Sequence, residues 1–502
     1  MDDRKEFDEK STYEKLYDAI NTPELKTSLW YTLLLTISVV FQLLSDTYIT
    51  RIVGQYGESY ATARGVTGTI TGFAFFVFGF LTNGFTSKVS RVYGSGIKHD
   101  LILGAWIKTA LLSGLGAGIL TLLAFGPTYT LWLRTFGVSR NDSIFELISI
   151  WYWTRLLGMT PNLIYNAIMG VLQGMQMPLY IVANNIFLAI VDVLCNYLFL
   201  DVFGWGPAGS PMGINIAFIG SLIFALFYLF YGPTIKDSFT IMPLKQMLPM
   251  KENKIILMQG GSLMLRSFLI ELSSYLVAIS SQSFSYGAIV AVTNVNSELS
   301  KYSYFIPSGL GTAGIMLGGY LIGKGEFEAF RTLLVLLPIG GILLSFIFFI
   351  VLASTGPFYW TNFFFASDDD GFDSVYRYVR ILWWLVLLIQ PINAMLAVYE
   401  GILYATQSFD YVRNCVVVGF MVIFLPLFLI GWLAGKGSIT VIILSQTLYS
   451  LFLVIAFGYK VHTTLIDEIK EQMSLEKQEE EMMDPKPSSD NVEVSPIHRI
   501  EV

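Results

Sequence analysis

The sequence predicts an all-α membrane protein of about twelve transmembrane helices, in two six-helix bundles related by a parallel-topology pseudo-two-fold repeat. Three observations carry this. Only 14% of the 502 residues are charged and 54% are hydrophobic, where an ordinary globular chain carries about 25% charged residues. Apolar runs of the roughly 20 residues that span a bilayer recur along the chain, and mean hydropathy is +0.59. Short motifs then repeat at a nearly constant offset. Gly170-Val171-Leu172-Gln173-Gly174-Met175-Gln176 recurs as Gly401-Ile402-Leu403-Tyr404-Ala405-Thr406-Gln407, and Tyr93-Gly94-Ser95-Gly96 as Ile322-Gly323-Lys324-Gly325. An even number of spans per copy returns the chain to one side, so the copies are parallel.

In chain order the spans read 29–50, 66–87, 101–125, 147–172, 178–203, 212–234, 255–281, 287–322, 330–354, 376–404, 411–434 and 438–460. The eighth is longer than a straight crossing needs and is expected to bend or to run on into a cytoplasmic helix. This divides the chain into a polar N-terminal segment (1–28), a first bundle (29–235), a linker (236–254), a second bundle (255–460) and an acidic, disordered tail (461–502). The segment 1–28 holds no apolar stretch with a small-residue cleavage site, so no cleavable signal is expected. With the N-terminus inside, inner loops hold ten Lys and Arg and outer loops, Arg64 among them, hold five. That bias puts both termini in the cytoplasm, at a plasma or organelle membrane. Asp368-Asp369-Asp370 and the sequon Asn141-Asp142-Ser143 then fall outside.

Composition removes several function classes. The formal charge is -7, so no nucleic-acid partner is expected. The tails account for this balance: 1–28 carry five basic and eight acidic residues, and 461–502 carry four and eleven. Two cysteines, Cys195 and Cys415, lie in apolar runs and build no disulfide framework. Three histidines, none inside an apolar run, leave no imidazole metal or haem site, and no cofactor or enzymatic activity is expected.

Charge in hydrocarbon costs roughly 2.5–3.5 kcal/mol per residue on insertion scales, so every intramembrane charge needs a partner or a function. Asp46, late in the first span, is placed to load and release a proton; the alternative is an interfacial aspartate. Asp192 and Asn196, at i and i+4, share a helix face. They can hold a proton, offer oxygens to Na⁺ or simply bond between helices. Arg155 and Arg266 stay protonated and are expected to pack against carbonyls or pair with acids. Glu271 lies five residues from Arg266, near the same network, and Glu298 with Lys301 forms an i, i+3 pair. Glu400 precedes the repeated Gly401. At the repeat offset Asp46 and Asp192 face Leu276 and Ile423, so the first bundle is expected to hold the coupling ion and the second mainly shape and apolar surface.

These residues resemble the multidrug and toxic compound extrusion (MATE) family, in its DinF-like branch, over about 30–460. The marks are Asp46 to Gly54, Tyr93 to Gly96, Tyr152-Trp153-Thr154-Arg155 and Gly170 to Gln176. Leu265-Arg266-Ser267, Gln390-Pro391-Ile392-Asn393-Ala394, Glu400 to Leu403 and Asp410 to Arg413 follow. The resemblance implies an antiporter that exports organic solutes by alternating access against H⁺ or Na⁺. It places the first-helix acid on Asp46 and the fifth-helix polar pair on Asp192 and Asn196. That pair is exchanged here relative to many relatives, Glu400 replaces their Asp, and no proline lies between Trp30 and Thr50 to bend helix one.

An amphiphilic, cationic or anionic drug-like substrate suits the aromatics and methionines, with Tyr152, Trp153, Met159, Tyr165, Met169, Tyr197 and Tyr275 as lining candidates. A monomer in the lipid bilayer is expected, with Ile500-Glu501-Val502 able to offer a groove-binding partner its carboxylate. Two other readings stand beside the antiporter: a lipid-linked flippase, which needs basic side chains around phosphates, and a non-transporting scaffold or sensor.

Overall fold

The computed structural model describes residues 23–56, 58–96, 100–231, 250–283, 287–364, 372–434 and 439–471. The first half comprises α1 (Pro23–Gln55), α2 (Glu58–Val77), α3 (Phe80–Gly94), α4 (Asp100–Phe125), α5 (Tyr129–Thr135), α6 (Phe145–Leu157), α7 (Met159–Gly174), α8 (Pro178–Tyr197) and α9 (Gly209–Tyr231). The second comprises α10 (Met250–Ser283), α11 (Gly287–Lys324), α12 (Phe327–Phe364), α13 (Phe372–Ala405), α14 (Phe409–Gly419), α15 (Leu425–Leu433) and α16 (Ile439–Thr463). Single π-turns, Leu198–Val202 and Phe420–Phe424, extend α8 and join α14 to α15.

Among the described residues, eleven stretches are long and apolar enough to cross a membrane. The twelfth is the span read at 147–172, which is split into α6 and α7. Pro161 has no N–H to give the Leu157 carbonyl. Gly158, at the break, lies so close to α9 that a methyl there would overlap the Asn215 side chain. Pro391 is the counterpart of Pro161 in the second copy, yet α13 runs through it unbroken. α11 likewise runs through Pro307 as one helix of 38 residues, of which the stretch fit to cross a membrane is Leu299–Lys324. α1 is one uninterrupted helix, consistent with its lack of internal proline.

Other boundaries depart from the expectation. Residues 23–28 and 250–254 are already helical, and α5 is a short helix inside a connection read as loop. Arg64, counted in an outer loop, lies within α2. The tail orders further than its composition suggests: 465–471 form a helical stretch, with Leu465 and Ile469 buried and Lys460 Nζ 2.8 Å from Glu468 Oε2. Two apolar side chains one turn apart supply burial that an average over the whole tail hides. The Asp368-Asp369-Asp370 cluster, most of the linker and Ile500-Glu501-Val502 lie outside the described residues.

α11 and α13 are the most buried of the spanning helices. Both belong to the second half and pack along one another, while Leu123, Val422 and Leu433 turn outward, as lipid contact requires. The halves meet along several seams, α3 against α11 among them. α1 runs against α11, where Gly309 approaches the Thr36 backbone. α10 runs against α2, where Phe73 packs on Phe268 and Tyr275.

Candidate functional site

Asp46 sits in the last turns of α1. Arg64 of α2 donates from Nη2 to Asp46 Oδ1 at 2.5 Å and reaches the Asp46 carbonyl at 3.4 Å. Lys301 of α11, in the other half, holds its Nζ 4.0 Å from Asp46 Oδ2. All three side chains are partly open, at 45%, 24% and 38% exposure for Asp46, Arg64 and Lys301. Beside them the hydroxyls of Thr47 and Tyr302 share a hydrogen bond across the same seam. Asp46 is therefore tied to its own half by Arg64 and to the opposite half by Lys301. At the end of α1 the exposed Tyr56 hydroxyl donates to Asp201 Oδ1, a bond that pushes its pKa up to about 12.

Asp192 is buried in α8. Asn196 Nδ2 donates to its Oδ1 and to its carbonyl, both at 2.9 Å, so the one-face pairing read from the spacing is present. The other Asn196 atom, Oδ1, is buried with no hydrogen-bond partner. α1 and α8 are joined by Ser45 donating to the Ala189 carbonyl at 3.3 Å and by Asn185 Nδ2 donating to Ser38 Oγ at 3.1 Å. This brings Asp46 and Asp192 into each other's field. Arg155 donates from Nη1 to Asn215 Oδ1 at 3.1 Å and lies 5.7 Å over the Phe218 ring, with both carboxylates acting on its charge. The carboxylates and the Asn196 amide offer hard oxygens of the kind small cations and protons take.

The second half, expected to supply mainly shape and apolar surface, holds a charged cluster of its own. Arg266 of α10 forms an ion pair with Glu400 of α13, at 12% and 4% side-chain exposure. Tyr404 donates to Glu400 Oε1 at 2.6 Å and Tyr304 to Oε2 at 3.1 Å. Of the polar candidates Arg155, Arg266, Glu271 and Glu400, the structure pairs Arg266 with Glu400. Arg155 belongs to the first half, and Glu271 makes no hydrogen bond or ion pair among the described residues, although Arg266 acts on its charge. Five residues turn a helix by about 140° past Arg266, so the two side chains leave on different faces. The Glu298 side chain lies outside the described residues, and Lys301 reaches Asp46.

Sequence reasoning missed Arg64, Tyr304 and Tyr404. Arg64 had a signal: it is the one charged residue between Glu58 and Lys88. Tyr404 stood four residues from Glu400 on the same helix face. Of the lining candidates, Tyr152, Met159, Tyr165 and Met169 are buried among helices. Tyr152 donates to the Phe125 carbonyl at 2.8 Å, and Tyr275 wedges between Phe73, Trp132 and Phe136. Only Trp153 and Tyr197 remain exposed among these seven.

The family model for MatE matches residues 35–198 and again 263–430, once in each half. Among solved structures, a MOP superfamily transporter from Pyrococcus furiosus is 14% identical, with a TM-score of 0.76, 92% of this chain covered and 100% of that one. The Vibrio cholerae MATE transporter VcmN is 14% identical, with a TM-score of 0.74 and coverage of 90% and 99%. The eukaryotic MATE transporter AtDTX14 is 14% identical, with a TM-score of 0.73 and coverage of 89% and 98%. At these identities the likeness is one of fold. No curated protein matches the chain by sequence.

Proposed function

The chain belongs to the MatE family, and we propose that it is a secondary active antiporter of the DinF-like branch that exports organic solutes against entry of H⁺ or Na⁺. The observation that carries this reading is the position of Asp46 between Arg64 of its own half and Lys301 of the other. A proton or Na⁺ arriving at Asp46 neutralises the carboxylate. Its attraction to Lys301 falls, and one tie between the halves weakens. Departure of the cation restores it. Ion occupancy is thereby linked to how tightly α1 and α11 hold together, which alternating access requires. Asp192 and Asn196 supply further oxygens close by, and Asn196 Oδ1 is buried without a hydrogen-bond partner.

The solute is an amphiphilic, drug-like molecule, and no covalent chemistry is performed on it. Both termini face the cytoplasm of a plasma or organelle membrane. A flippase reading is weaker, because Arg64, Arg155 and Arg266 are engaged by Asp46, Asn215 and Glu400 and not arrayed for phosphates. The test is efflux of a mixed compound panel from proteoliposomes under an imposed H⁺ or Na⁺ gradient, measured separately. Asp46→Asn is expected to abolish gradient-driven efflux with normal expression. Undiminished efflux in that variant sinks the coupling role, and no efflux of any compound under either gradient in the unmodified protein sinks the antiporter.

A further inference from the structure

At the end of the bundle that carries Ser95 and Lys324, two glutamines stand where helix ends ordinarily place glycine. Gln176 follows α7 and Gln407 follows α13, and each has φ of 59°, in the left-handed region that a Cβ disfavours. Met177 N–H reaches back to the Leu172 carbonyl at 3.4 Å, and Ser408 N–H to the Leu403 carbonyl at 3.0 Å. These are the six-to-one bonds of a helix terminus whose preceding residue is most often glycine. The two glutamines are the last letters of the repeated Gly170–Gln176 and Gly401–Gln407 motifs, so the duplication has set the same strained residue in the same place twice.

Both side chains bond across the halves. Gln176 Nε2 donates to the Met316 carbonyl of α11 at 2.6 Å. Lys88 Nζ of α3 donates to Gln407 Oε1 at 2.7 Å. In the register that aligns Tyr93 with Ile322, Lys88 corresponds to Leu317, next to Met316, so the two bonds are near-equivalents under the pseudo-two-fold. Around them the halves touch backbone to backbone. A methyl at Gly94 would overlap the Tyr320 carbonyl, and one at Gly323 the Arg91 carbonyl. Ser87 Oγ donates to the Tyr404 carbonyl at 2.6 Å.

We infer that Gln176 and Gln407 are a repeat-related pair of latches that hold this end of the two halves shut. Glycine at either position would relax the helix end and lose the bond across the seam. Each bond is weak enough to break when the halves part. The use of the latches in transport rests on the alternating-access reading, while their test does not.

The test is a distance measurement between spin labels at Ser95→Cys and Glu328→Cys, in the full chain with Cys195→Ser and Cys415→Ser, reconstituted in nanodiscs. Gln176→Gly is expected to raise the ratio of long to short distances about fivefold, and Gln407→Gly about tenfold because its partner is charged. The pair together is expected to exceed either. Asparagine also tolerates the left-handed backbone but is one methylene short, so Gln176→Asn and Gln407→Asn should open this end as the glycine variants do. Melting temperature should hold or rise with glycine as the strain is relieved. Unchanged distances overturn the inference. So does a wild-type distribution in the asparagine variants, or a lower melting temperature with no longer population, which would make the glutamines local packing only. Label distances are read without transport, so loss of the coupling role of Asp46 would leave the latches standing.

Discussion

The two halves each contain a carboxylate paired with an arginine, and the pairs differ in access and in what they join. Asp46–Arg64 is half-open, and Lys301 extends it across the seam. Arg266–Glu400 is sealed, lies within one half, and has both carboxylate oxygens occupied by tyrosine hydroxyls. A carboxylate that already has its oxygens filled and no route to solvent is a staple. One that is reachable, and whose partners lie on both halves, is the one we propose as a switch. The same side-chain chemistry meets two different environments because tertiary placement sets desolvation and geometry.

Substitutions can break that contrast, beginning with the largest expected loss of stability. Glu400→Ala strands the buried Arg266 charge and should cost about 3–5 kcal/mol, visible as a large fall in detergent melting temperature; a small fall would mean the pair is not sealed. Gly158→Ala pushes a methyl into Asn215 and disturbs its bonds to Arg155 and to the Thr154 carbonyl. Overpacking of this kind costs about 1–3 kcal/mol, read in the same melts. Tyr404→Phe removes one charged-acceptor hydrogen bond from Glu400 and should cost about 1.5–3 kcal/mol at most, leaving gradient-driven efflux intact. Asp46→Asn should change stability least, by under about 1 kcal/mol, while its effect on coupled efflux is the largest of all. Lys301→Met should follow it with a several-fold slower efflux. If Asp46→Asn melts as low as Glu400→Ala, the distinction between switch and staple fails.

Much of the fold was readable because a bilayer reduces helix prediction to counting apolar residues. The exceptions have local causes. Pro161 with Gly158 split one span, and Arg64 looked like a loop residue because α2 begins before its apolar stretch. Leu465 and Ile469 ordered a segment whose average composition is polar. The site was readable in part. Asp192 with Asn196 follows from one helical turn; Tyr404, one turn after Glu400, was missed although the same spacing marks it.

By itself the sequence determined a duplicated, twelve-span membrane protein and the residues that carry intramembrane charge. Helical periodicity reports neighbours three and four residues apart and nothing beyond. Which charge meets which was therefore decided only by packing: Lys301 reaches Asp46 from the other half, and Arg266 of α10 finds Glu400 three helices later in the chain. The same holds for Gln176 and Gln407. Their repetition was visible in the letters, but the reach of their side chains across the seam exists only where the two halves meet.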